Sequence, residues 1–171
     1  IRAVRDAGKD SATSPRVMLH IAQPEHVVPW FDAAKAAGVV DYDFIGISYY
    51  RKWSTRTVAQ LGETIAAARQ RFGAEVIVVE TAYPFTNEGV DEMPNLLGPD
   101  TLIDEYPATP AGQLAYLVDL TQIVVDHGGV GVVEVVDVGQ QLDRLPVGGD
   151  GGMVAVLGQD VLEVDELPLE L

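Results

Sequence analysis

The chain has 171 residues, 47% hydrophobic and 22% charged, a globular composition that suggests one domain around one core. A formal net charge of −15 argues against nucleic acid as a partner, because phosphates demand Lys and Arg. With no cysteine there are neither disulfides nor thiolate metal sites, and no apolar run approaches the roughly 20 residues that span a bilayer, so no membrane partner is expected.

The chain opens on Ile1-Arg2-Ala3-Val4-Arg5, which reads as the middle or end of a helix and not as a leader peptide. An upstream segment is therefore expected, and any export signal would lie in it. Four short β-like runs follow: Arg16 to Ala22, Asp43 to Tyr50, Glu75 to Glu80, and Gly129 to Val136. Each is nearly continuous in apolar residues, the pattern of strands covered on both faces in a parallel sheet.

Segments of helical spacing separate them. Val28, Phe31, Ala34 and Ala37 share a face that stops at Gly38. Thr57 to Gly73 repeats the pattern, with Leu61, Ile65, Ala68 and Phe72 along one stripe. A third helix is predicted from Pro110 to Asp126, with Leu114, Leu117, Val118, Thr121 and Val125 inward. Strand and helix alternating in this way mean right-handed βαβ units and an α/β fold.

Thr86 to Ala108, holding Pro94, Pro99, Pro107, Gly89 and Gly98, is too long for a simple connection and is expected to shape a binding surface. Beyond Val138 the pattern degrades. Gly148-Gly149-Asp150-Gly151-Gly152 is a flexible break, and Met153 to Leu157 is a candidate for one more short strand. From His127 onward nine acidic residues accompany a single basic one, Arg144, which reads as a solvated acidic tail. Residues 1–138 thus form the α/β unit and 139–171 an acidic, Gly-rich tail.

Polar groups gather at the C-terminal ends of the strands: His20 on the first, Ser48, Tyr49 and Tyr50 on the second, Glu80 on the third and Glu134 on the fourth. In parallel α/β folds that rim is where sites form, because the βα loops open there. Each has a plainer reading as well, a hydrogen-bonded structural histidine or a core tyrosine. Glu80 is the hardest to explain structurally, because four aliphatic residues precede it and a buried charge needs solvent or a partner. Tyr49, Tyr50, Trp53, Tyr83 and Phe85 sit just beyond two strand ends, as walls of a cleft that suits a sugar polymer among other ligands.

Competing motifs fail. The glycines of Gly128-Gly129-Val130-Gly131 precede their strand, so they are no dinucleotide loop, and His20, His26 and His127 lack metal-ligand spacing. No cofactor and no metal are expected.

The segments "GISYYRKWST" and "RFGAEVIVVETAYPFT", with "VMLHIA" before and "YPATPAGQLAYLVDL" after, resemble the glycoside hydrolase family 53 endo-β-1,4-galactanases from about Ile1 to Val133. The resemblance implies a (β/α)₈ barrel of TIM type, of which this chain would supply strands five to eight. It implies retaining cleavage of β-1,4-galactan in an extracellular protein, with Glu80 as nucleophile and His20, Ser48, Tyr49, Trp53 and Gln113 lining sugar subsites.

Retention needs a second carboxyl group about 5–5.5 Å from the first. The family carries it after an asparagine on the fourth barrel strand, which would precede Ile1. Asp43 lies at the wrong end of its strand to replace it, and Glu134 has no supporting motif. The family's Tyr-Trp-Glu-Pro stretch is also missing from Val132 to Val138. The chain alone is therefore expected to be inactive, and its open barrel edges to favour self-association. Alternatives are a degenerate or purely carbohydrate-binding α/β domain, or an unrelated open-sheet domain for another small ligand.

Overall fold

A computed structural model describes residues 1–9, 15–89 and 97–133. The elements run α1 (Arg2–Gly8), β1 (Met18–Ile21), α2 (Pro24–Ala36), β2 (Phe44–Ser48), α3 (Val58–Phe72), β3 (Glu75–Glu80), α4 (Pro110–Asp126) and β4 (Gly131–Val132), with a 3-10 turn at Pro99–Thr101 before α4. The strands form one parallel sheet in the order β1-β2-β3-β4, the progression expected of consecutive βαβ units. This is the α/β layout of part of a (β/α)₈ barrel.

Strand β3 has the bounds read from its sequence. β1 and β2 are shorter than their apolar runs, although Val17 and Tyr49 just outside them still hydrogen-bond to the neighbouring strand. The candidate strand at Met153–Leu157, Glu134 and the tail 139–171 lie outside the described residues.

Helices α2, α3 and α4 cover one face of the sheet. Ile45, Ile47, Val76 and Val78 are fully buried there in a core with Phe31, Leu61, Ile65, Leu120 and Val124. The opposite face does not match the expectation of full cover on both sides. Ile77 and Val79 are only partly buried, and Met18 is 38% exposed. In a barrel this second face is the interior, so apolar runs are required there too.

α3 follows its expected stripe. Leu61, Ile65 and Ala68 are buried, a Thr57–Gln60 capping box opens the helix, and Gly73 closes it at φ 71°. α4 has the bounds expected of it, but both α2 and α4 are rotated from the expected faces. In α2 the buried set is Pro24, Val27 and Phe31, while Ala37 is exposed. Phe31 is held between Tyr42 and Phe72, with ring centroids 5.1 and 5.4 Å away, and that contact sets the helix rotation.

In α4 the buried side chains are Tyr116, Leu117, Leu120 and Val124, whereas Leu114, Val118 and Val125 face outward. This helix is apolar almost all round, so several stripes fit its sequence. Tyr116 chooses among them by stacking on Tyr83 at 4.5 Å.

Candidate active site

The C-terminal end of the sheet holds a cleft of about 200 Å³ lined by Ala22, Gln23, Ser48, Tyr50, Trp53 and Glu80. Its position follows from the strands. Ile45 and Ile47 turn toward the helices, so Gly46 and Ser48 turn toward the barrel interior. On β3 the same alternation would send Val79 inward and Glu80 outward. A register shift between β2 and β3 prevents this: Ile47 pairs with Val78, and Ser48 pairs with Glu80. Such bulges re-aim a side chain next to a site. Here one brings Glu80 onto the face of Ser48, while Tyr49 N–H donates to the Glu80 carbonyl at 2.7 Å and fixes the backbone behind it.

His20, Ser48 and Glu80 form a chain of hydrogen bonds across three adjacent strands. Ser48 Oγ donates to Glu80 Oε2 at 2.9 Å, and His20 Nε2 lies 2.6 Å from the same hydroxyl. A serine has one proton to give. With that hydrogen bond given to Glu80, His20 must donate through Nε2, which therefore carries a proton. Ser48 is 4% exposed, so its hydroxyl is shielded from water, whereas His20 is exposed. Glu80 Oε1 receives no hydrogen bond from the described residues and remains available to a ligand.

The aromatic wall is made by Tyr50 and Trp53, in edge-on contact at 5.2 Å. Burial, and then the nearby Glu80 carboxylate, raise the Tyr50 phenol above its ordinary pKa and keep it a hydrogen-bond donor. Trp53 is 42% exposed, and Lys52 beside it reaches Asp100 of the β3–α4 connection at 3.3 Å.

Tyr49 and Gln113 are not in the cleft lining. Tyr49 is fully buried and donates its hydroxyl to the Arg56 carbonyl at 3.0 Å. Burial raises its pKa far above the ordinary value. Gln113 Nε2 donates to the Tyr83 carbonyl at 2.6 Å and so anchors the segment that follows Glu80. Tyr83 is an anchor as well: its ring is buried against Tyr116, and its hydroxyl donates to the Tyr106 carbonyl at 2.6 Å. Asp43 lies at the opposite end of β2, accepting from Val17 N–H at 2.6 Å and pairing with Arg5 at 3.0 Å. Tyr50 was the finer signal available in the sequence, because Ser48 inward means Tyr49 outward and Tyr50 inward again.

A larger concavity, about 460 Å³, lies beneath the other end of the sheet among Arg69, Gln70, Gly73, Glu75 and His127. It is remote from the strand ends where βα loops converge, and the smaller cleft is the better placed for chemistry. Among the described residues no helix is long and apolar enough to cross a membrane.

Against known proteins, a family model described as Glycosyl hydrolase family 53 matches residues 1–135. An arabinogalactan endo-beta-1,4-galactanase of Cellvibrio japonicus (strain Ueda107) is 47% identical over 133 residues, covering 78% of this chain and 35% of that protein. Among solved structures, a GH53 catalytic domain from Ignisphaera aggregans aligns with a TM-score of 0.67 at 25% identity, over 78% of this chain and 38% of that one. A chain described under two fungal beta-1,4-galactanases shares the fold, with a TM-score of 0.62 at 23% identity, over 76% of this chain and 41% of its own. The chain spans about a third of the length of the curated relatives it matches.

Proposed function

The chain belongs to glycosyl hydrolase family 53, and from that premise we propose that it carries the nucleophile-bearing part of a retaining endo-β-1,4-galactanase site. The observation that supports this most directly is Glu80. Among the described residues it is the single carboxylate in the cleft lining, turned inward by a bulge, with one oxygen tied to Ser48 and the other open.

In this reading Glu80 Oε1 attacks the anomeric carbon as the glycosidic C–O bond breaks, and the leaving oxygen takes a proton from an acid. Water then attacks the same carbon, releases Glu80 and returns its proton to that acid. Tyr50 and Trp53 offer ring faces to the apolar C–H side of galactose, while the His20–Ser48 pair holds the carboxylate still. A nucleophile on a strand end is better fixed than one on a loop.

The acid has to sit about 5–5.5 Å from Glu80 in a retaining enzyme, and the described residues of the cleft lining include no second carboxyl group. The described residues therefore bind and orient sugar but do not complete turnover. That same absence favours the second reading, a carbohydrate-binding unit without catalysis. Because a polysaccharide does not cross a bilayer, the intact protein acts outside the cell in this account.

The test uses β-1,4-galactan and galacto-oligosaccharides. This chain is expected to bind them and to release no reducing sugar. In a protein that joins it to the missing part of the barrel, Glu80→Gln abolishes release. Glu80→Ala regains turnover of an activated galactoside only with added azide, yielding the inverted galactosyl azide. Full activity in the Glu80→Gln variant would remove Glu80 from the mechanism.

A further inference from the structure

Trp53 projects from the Tyr50–Thr57 connection, which spans β2 and α3 and has no regular structure along its middle. A ring that is 42% exposed on such a segment needs an external anchor to stand as a sugar platform. That anchor comes from another element. Glu25, in the first turn of α2, accepts from Ser54 Oγ at 2.8 Å through Oε2 and from Thr55 N–H at 3.0 Å through Oε1. Both donors immediately follow Trp53, and the Ser54 side chain is 5% exposed.

The attachment has further parts. Ser54 Oγ also accepts from Arg56 N–H at 3.1 Å, and Arg51 donates to the Ser54 carbonyl at 2.9 Å. Trp53 and Ser54 N–H groups both donate to the Tyr50 carbonyl, at 3.0 and 3.1 Å. These bonds shape the turn internally. Glu25 is what ties it to α2, and α2 follows the Ala22-Gln23 rim of the same cleft.

From this geometry we infer that Glu25 is a positioning residue, whose bidentate grip on Ser54 and Thr55 holds Trp53 against the cleft. It touches no reacting atom; it acts through the loop. The inference rests on the proposed sugar-binding reading for its consequence, but the grip itself can be tested without sugar.

The experiment is carried out in a Trp30→Phe background, which leaves Trp53 as the sole tryptophan. In ligand-free protein, Glu25→Ala is expected to raise acrylamide quenching of Trp53 and lower its fluorescence anisotropy, with circular dichroism unchanged. Glu25→Asp, too short to reach both donors, is expected to fall between the two. Unchanged quenching and anisotropy in a folded Glu25→Ala protein would overturn the inference.

Galactotetraose titration, followed by calorimetry in the Trp30→Phe chain, then separates the two levels. Glu25→Ala is expected to weaken binding about tenfold where Trp53 is present and not at all in a Trp53→Ala chain. A binding loss from Glu25→Ala that persists without Trp53 would overturn the positioning role. A Trp53→Ala chain that binds as well as its parent would instead remove the sugar platform, while the quenching result would still decide the grip.

Discussion

Ser48 Oγ donates to Glu80 Oε2 at 2.9 Å, although the two residues belong to neighbouring strands and lie 32 positions apart. The bond exists because the β2–β3 register slips by one residue just before it. It fixes which carboxylate oxygen is occupied and which is free. Ser48→Ala should leave Glu80 chemically intact but free to rotate, and should strand His20 Nε2. In the joined, active protein the expected result is a fall in kcat of about tenfold, equivalent to ~1.4 kcal/mol, with little change in KM. Steady-state kinetics would check it; a pure KM effect would assign Ser48 to sugar binding instead.

The two adjacent tyrosines should separate by phenotype. Tyr49→Phe removes a hydroxyl from a buried ring and leaves the Arg56 carbonyl without its 3.0 Å donor. A stability loss of about 1–2 kcal/mol is expected in chemical denaturation, with galacto-oligosaccharide affinity unchanged. Tyr50→Ala should do the reverse, weakening sugar binding while leaving the denaturation midpoint close to the parent's.

That pair also illustrates what the sequence could convey. Glu80 at the end of an aliphatic run, and the βαβ rhythm around it, are local patterns, and both were legible without coordinates. The inward turn of Glu80 was not, because it depends on a register slip between two strands. Nor were the rotations of α2 and α4. Those are set by ring contacts across the chain, Phe31 with Tyr42 and Phe72, and Tyr116 with Tyr83. Tyr83 looked like a cleft residue because it lies just beyond the end of β3, and Gln113 because the family resemblance implied it. In three dimensions they hold down the segment that follows Glu80.

Gly112 occupies the first turn of α4, where Thr109 Oγ1 accepts from its N–H at 3.0 Å. A Cβ there would collide with the Pro107 carbonyl oxygen, which is backbone and cannot swing aside. Gly112→Ala should therefore destabilise by about 1–3 kcal/mol through displacement of the turn. The same shift would move Gln113 from the Tyr83 carbonyl. Thermal unfolding gives the first effect, and weakened oligosaccharide binding at a temperature where the variant stays folded gives the second.

Among the described residues β1 pairs only with β2, and β4 only with β3, so each presents one unpaired edge. Unpaired edges add strands from other copies. The chain expressed alone is expected to sediment as a concentration-dependent mixture of monomer and larger species. Co-expression with the remaining part of the barrel should convert it to a single complex. A strictly monomeric chain at all concentrations would show that the edges are protected.

Glu25 supplies a pH test of the loop anchor. Burial alone would raise its pKa, but hydrogen bonds from the Thr55 backbone and the Ser54 hydroxyl outweigh that and hold it below the ordinary value of 4.5. The folded state therefore favours the carboxylate, and the unfolded chain binds protons more readily as pH falls. The stabilisation is fully present above the unfolded value and is lost as pH drops through the lower, folded one. Because the group is only partly buried, the effect is about a fraction of a kcal/mol, discounted for screening. The difference in Tm between the parent and Glu25→Gln should be constant near neutrality and shrink toward zero below about pH 4.5. Asp43, also held low by the Val17 N–H and by Arg5, contributes in the same direction at the other end of the sheet. Only the Glu25 part should vanish in the Glu25→Gln background. A Tm difference independent of pH would mean that the carboxylate charge plays no part in holding the loop.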